Sequence, residues 1–149
     1  MRPEADQILN FCAGQWLGEL APQLAADYAR STASLNAMLT IFAAQEYEHG
    51  AEIRARENKE LRTLLARHAP SAGDATLTQA LSDAAAERDQ TLTISALNAA
   101  NNTLKSLLIR LQCALETQAS PEAQAAAKQI WESLAAMAER RMLRIPPTG

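Results

Sequence analysis

Aromatic side chains are nearly missing from this chain: two Trp, two Tyr and two Phe make up 4% of its residues. The β-branched residues that fill strands alongside aromatics are scarce too, which argues against a sheet. Cysteine is limited to Cys12 and Cys113, far apart and with no CxxC pair. That excludes a disulfide framework and a zinc site, and both read as reduced core thiols. No stretch approaches the roughly 18 apolar residues of a membrane span. The opening "MRPEADQILN" sets acidic residues where a signal peptide needs an apolar run. Nor is there an excess of positive charge. A net charge of −3 and a pI near 5.4 remove any global attraction to nucleic acid or to an anionic membrane. No Gly-rich phosphate loop occurs, and no Ser/His/Asp or Cys/His constellation can be drawn from two His. These exclusions point to a cytoplasmic, non-enzymatic protein without a cofactor.

What the chain does have is leucine and alanine. Hydrophobic content is 48%, about one residue in five is Ala, and 149 residues suffice for one domain over 1–149 with a real core. Leu9, Cys12, Trp16 and Leu20 recur at helical spacing after Pro3 and Glu4, until Pro22 interrupts them. Leu35, Leu39, Phe42, Glu46, His49 and Ile53 follow a coiled-coil-like 4-3-4-3-4 spacing. "RHAPSAGD", from Arg67 to Asp74, then supplies a helix stop, and Thr76 with Gln79 has capping-box spacing. Ile94, Leu97, Asn101, Leu104, Leu108, Leu111 and Leu115 form the cleanest seam. Ser120, Pro121 and Glu122 restart helicity, Ile130, Trp131, Leu134 and Met137 are expected to face inward, and Pro146 and Pro147 close the chain.

The expected fold is therefore all-α: an up-down bundle on two long antiparallel helices, roughly 22–68 and 74–118. Shorter flanking helices cover roughly 4–20 and 121–143. At about 1.5 Å per residue the flanking pair is too short to cover the long pair. Leu61, Leu64, Leu77 and Leu81 are then expected to lie uncovered in a single chain, which predicts a homo-oligomer.

One phrase is written twice. "ENKELRTLLAR" (Glu57–Arg67) aligns without a gap with "ANNTLKSLLIR" (Ala100–Arg110), placing Asn58 over Asn101, Leu61 over Leu104 and Leu65 over Leu108. An Asn on an apolar seam specifies register and partner number at a cost in stability. In a hairpin turning near Ser71 the two Asn would lie far apart, so a second chain would supply their partners. Asn58, Leu61, Leu65, Leu77, Leu81 and Asn101 form the expected interface, and Asn101→Leu is expected to raise stability. "LNAANNTLKSLLIRLQCALE" (Leu97–Glu116) also resembles the second long helix of the flagellar hook–filament junction export chaperones. The shared pattern is L-x-x-x-N-x-x-L-x-x-x-L, here Leu97, Asn101, Leu104 and Leu108. The helix expected over 121–143 has no counterpart in that family. The resemblance implies binding and protection of a segment of another protein, a chaperone-like or adaptor role.

Residues that bear chemistry are few. Glu46 and His49 form an E-x-x-H pair, the spacing with which a carboxylate and an imidazole converge on one metal in ferritin-like carboxylate bundles. A full site needs further ligands, and Glu19, or a dimer doubling the half-site, would have to supply them. The alternative is a hydrogen-bonded pair at a helix seam. "RARENKELRTLLARH" is basic, but Glu52, Glu57 and Glu60 interleave at salt-bridging spacing, so it reads as a solvated face with no nucleic-acid role. Gly14 and Gly18 bracket Trp16 in a GxxxG that admits a close neighbour, and Trp16 and Trp131 read as core anchors. Two ligands from one helical turn leave most coordination positions to water. Metal analysis of the purified protein should accordingly find no stoichiometric iron, manganese or zinc, and His49→Ala should change stability only modestly.

Overall fold

The computed structural model describes residues 3–144, so Pro146 and Pro147 lie outside the described residues. Every regular element in it is helical. We label the helices α1 (Ala5–Gln15), α2 (Asp27–His68), α3 (Ala75–Ala86), α4 (Ile94–Glu116) and α5 (Pro121–Arg140). The residues group into two compact units: unit 1 up to Gly50 together with the segment from Leu143, and unit 2 from Ala51 to Met142. The long helix α2 runs without a break through Gly50 and through Arg30–Ser34, the two weak points in its sequence.

Unit 2 is a four-helix arrangement whose directions follow from its hydrogen bonds. Thr78 on α3 reaches back to the carbonyl of Ala69, and Asp89 after α3 meets Asn58 and Arg62, so α3 runs antiparallel to the end of α2. On α4, Asn98 meets Arg54 and Asn101 meets Asn58, and beyond its C-terminus Gln118 bonds the carbonyl of Ser71. Both numbers rise together, so α4 runs parallel to α2. Gln129 on α5 contacts His68, and Arg141 just past its end contacts Glu57, which makes α5 antiparallel again.

This corrects the expected second long helix. The span 74–118 is two helices, separated by "ERDQTLT" (Glu87–Thr93), which contains neither Gly nor Pro. The break has a tertiary cause. Asp89 turns its carboxylate inward to accept from Arg62 at 2.7 Å and from Asn58 at 3.1 Å, and the backbone leaves the helix to deliver it. Because the chain reverses there, α4 and α5 fill the space that a continuous helix would have left open. Leu61, Leu65 and Leu81 are completely buried, and Leu64 and Leu77 almost so. With Leu104, Leu108, Leu111, Leu115, Ile130 and Met137 they form one apolar core, each large side chain contributing about 1.5–3 kcal/mol of transfer free energy. The expectation that these leucines lie uncovered in a single chain does not hold.

Unit 1 is built differently. α1 continues through a π-helical segment, Trp16–Leu20, into one further turn at Ala21–Gln23. Pro22 accounts for the widening, since its ring cannot follow an α-helical carbonyl four residues earlier and it offers no N–H. The buried apolar cluster holds only Ala13, Ala37 and Ile41, with Trp16 packed on it. α2 therefore buries the face marked by Ala37, Ile41 and Ala44, while Leu35 and Leu39 of the expected seam are more than half exposed. Gly14 and Gly18 face open space, with nothing within 4 Å of where a Cβ would stand, so among the described residues no helix uses the GxxxG to approach. The segment after α5 is tied to α2 of this unit by Gln45, whose side chain exchanges two hydrogen bonds with the backbone of Arg144.

Turn chemistry sets the ends of the unit 2 helices. Asp74 caps α3 by accepting from the Leu77 N–H at 2.6 Å, in place of the expected Thr76 and Gln79. Ser120 caps α5 by accepting from Ala123, with Pro121 in the first turn, as its sequence indicated. Gly73 adopts φ 72°, the left-handed region that costs L-residues about 1 kcal/mol or more. Asp74→Ala should lower stability by about 1 kcal/mol, and Gly73→Ala by a similar amount. Urea unfolding monitored by circular dichroism will measure both.

Candidate interaction surface and the buried polar cluster

The most unusual chemistry in unit 2 lies beneath its surface. Glu57 and Asn58 are fully buried and Asn101 nearly so, at the edge of the leucine core. Arg141 closes on the Glu57 carboxylate with two hydrogen bonds, Nε to Oε1 and Nη2 to Oε2, both 2.7 Å. Asn101 Nδ2 donates to Glu57 Oε2 at 3.3 Å and to Asn58 Oδ1 at 2.9 Å. Asn58 Nδ2 in turn donates to the Leu97 carbonyl and to Asp89. Lys105 stands 3.8 Å from the same carboxylate. Alongside, Glu60 pairs with both Arg56 and Arg140. One helical turn of α2 thus holds the link after α3, the start of α4 and the end of α5.

The repeated phrase finds its explanation here. In parallel helices matched at an offset of 43 residues, Asn58 and Asn101 stand side by side, as do the leucines that follow them. The partner expected from a second chain is supplied within the chain. Of the six expected interface residues, Asn58, Leu61, Leu65, Leu77, Leu81 and Asn101, none reaches the surface, because the reversal at Glu87–Thr93 folds α4 onto α2.

Electrostatics oppose each other at Glu57. Burial by itself would raise its pKa, but the Arg141 hydrogen bonds and charge, the Lys105 charge and the Asn101 hydrogen bond outweigh it, and the carboxyl lies below its usual range. A depressed carboxylate adds stability that is complete above its unfolded pKa and is lost as pH falls through the folded one. His68 is also shifted down, first by burial and then by the Arg67 charge, against the raising effect of its hydrogen bond to Gln129 Oε1. Folding therefore favours neutral imidazole, and that contribution fades as pH drops below about 6.5.

Unit 1 carries the opposite kind of surface. Phe11, Leu20, Tyr28, Leu35, Leu39 and Tyr47 are each half or more exposed, and Ile8 nearly half. An apolar groove of about 490 Å³ opens between the turn after α1 and the start of α2, lined by Trp16, Leu20, Leu24, Tyr28 and Ala33 among others. Unit 2 has a smaller apolar groove of about 230 Å³ between α4 and α5, where Ile109, Cys113 and Trp131 are exposed. Trp131 is therefore no core anchor: Ile130 and Met137 take the inward positions and Leu134 is half-buried. Cys12 and Cys113 are free thiols at the surface, not core residues.

The metal candidates do not assemble. Glu19, Glu46 and His49 are all exposed, and among the described residues no group of three His, Cys, Asp or Glu side chains could hold a metal ion. No helix among those residues is long and apolar enough to cross a membrane. Set against known proteins, the chain matches no family model, no curated protein and no solved structure, and so gains no support for the likeness to export chaperones.

Arg141→Ala should cost about 2–4 kcal/mol at neutral pH, less than the ~3–5 of a fully buried pair because Arg141 is itself 35% exposed. The gap between native protein and variant should narrow as pH falls, because the carboxylate left buried without Arg141 takes up a proton at a higher pH than the paired one and so loses its stranded charge first. Asn101→Leu should destabilise, reversing the expectation drawn from a seam alone, because it strips a donor from Glu57 and from Asn58. Thermal and urea unfolding from pH 7 to pH 3.5 will check both.

Proposed function

We propose that this chain is a non-enzymatic helical interaction protein, in which unit 2 serves as a stable body and unit 1 as the surface that engages another protein. The observation that carries this reading is the mismatch inside unit 1. Its buried apolar cluster is two alanines and an isoleucine with Trp16 against it, while Phe11, Leu20, Tyr28, Leu35 and Leu39 stand in solvent. Large apolar side chains left exposed in this number within one unit mark an interaction site. Two helices joined over so small a core gain little from packing on each other, and covering the exposed side chains would add about 1.5–3 kcal/mol for each one fully buried. An adaptor or chaperone-like role fits such a surface. Self-association is its simplest form, now resting on unit 1 and no longer on the leucines of unit 2.

The reading has a direct test. If the face is free, the protein should take up a hydrophobic fluorescent dye, and Leu35→Ser/Leu39→Ser should reduce the uptake without lowering the unfolding temperature. If a second copy covers it, light scattering on a sizing column should give a multiple of 16.1 kDa that the double variant returns to one. A monomer that takes up no dye would overturn the proposal.

A further inference from the structure

Unit 2 holds a cleft that neither its core nor the interaction reading uses. It opens between α2 and the chain that follows α3, and its volume of about 580 Å³ is within the range of small-molecule sites. Three cationic side chains line it: Lys59 and Arg62, about one turn apart on α2, and Arg88 from the facing wall. Lys59 and Arg88 are exposed, and among the described residues neither side chain is ion-paired. Arg62 differs from both. Its side chain is only 12% exposed and is held by Asp89, which accepts from Nη2 at 2.7 Å. Its Nε is enclosed and has no acceptor. A buried guanidinium with an unmet donor is costly, and an anion brought against it offsets that cost by its charge.

The acceptors of the cleft narrow the ligand further. Asp89 is already engaged by Arg62 and Asn58, so it takes no part. Glu87 also lines the cleft and is exposed without an ion pair, which leaves two unpaired cations against one carboxylate. Thr63 donates its hydroxyl hydrogen to the Lys59 carbonyl at 3.0 Å, so only its oxygen's acceptor capacity remains. The cleft thus offers cations for a compact dianion, and acceptors for hydroxyl groups on the same molecule. Its other walls are Ala55, Ala66 and Ala85. They provide no aromatic ring to stack a base and no large apolar side chain to anchor a peptide.

We infer that this cleft binds a phosphate monoester of a small polyol, with Lys59, Arg62 and Arg88 around the phosphoryl group and Glu87 and Thr63 accepting from its hydroxyls. A phosphate monoester carries about −1.5 to −2 charge at neutral pH and three strong acceptor oxygens, which suits three converging cations. The site belongs to unit 2 alone and is independent of what unit 1 engages. Because its walls come from α2 and from the link after α3, the ligand ties that link to the helix and stabilises the folded unit.

The test is calorimetric titration of the full chain with four probes: glycerol phosphate, glycerate, inorganic phosphate and a short phosphoserine peptide. Glycerol phosphate should bind about tenfold tighter than glycerate, which keeps the hydroxyls but has a singly charged carboxylate. It should bind several-fold tighter than inorganic phosphate, which has the charge without the polyol. Lys59→Gln/Arg88→Gln should weaken glycerol phosphate about tenfold or more, and Glu87→Gln should narrow its margin over inorganic phosphate. These three positions are exposed and unpaired, so circular dichroism and the unfolding temperature without ligand should stay unchanged in both variants. Glycerol phosphate should raise the unfolding temperature of the native chain and not that of the double variant. No binding up to about 10 mM, or equal binding by the native chain and the double variant, would overturn the inference. Equal affinity for inorganic phosphate and glycerol phosphate would overturn the polyol. A phosphoserine peptide that binds tighter than glycerol phosphate would overturn the small molecule in favour of a phosphorylated protein.

Discussion

A carboxylate cannot be held away from water without its countercharge, and unit 2 is arranged around meeting that demand at Glu57. The residue sits inside the second half of α2, where its neighbours in sequence are charged and its neighbours in space are leucines. Arg141 answers the charge from beyond the end of α5, and Asn101 adds a donor from α4. Each of those helices has to arrive at one height and one rotation for the bonds to form. The apolar core rewards many arrangements of four leucine-rich helices about equally, whereas the polar cluster accepts one. Burial supplies most of the stability, and Glu57 with Asn58 supplies the choice among arrangements.

The two units answer opposite questions about where an amphipathic helix finds its cover. Along unit 2 the apolar faces meet each other, and the charges on the outside balance. Along unit 1 a second apolar face of α2 turns outward, and among the described residues of that unit acidic side chains outnumber basic ones. A surface of this kind is costly in a free chain because it favours aggregation.

Helices were easy to read in the sequence because their local signals agree: Ser120 and Pro121 open α5, Pro70 and Gly73 close α2, and the α4 seam from Leu97 to Leu115 is buried as its spacing indicated. The break at Glu87–Thr93 was hidden because its cause is Arg62 and Asn58, more than twenty residues away, and not a local breaker. Glu57 was hidden for a related reason. Within "RARENKELR" it has the spacing of an exposed salt bridge, and only the return of Arg141 shows that it is enclosed. The stripe from Leu35 to Phe42 shows the limit most clearly. Periodicity reveals that a helix has an apolar face; it does not reveal whether this chain or another one covers it. The same limit explains Trp131, which follows Ile130 directly and so cannot share its inward direction.

The distance along the chain between Glu57 and Arg141 has a consequence for how the protein is made. During synthesis the chain emerges from its N-terminal side, and α2, α3 and α4 leave the ribosome before the guanidinium that neutralises the buried carboxylate does. Until residue 141 is clear of the exit tunnel, the carboxylate has only the Asn101 donor and the Lys105 charge 3.8 Å away to answer it. The bidentate contact that completes the cluster therefore comes last, with the segment just past α5.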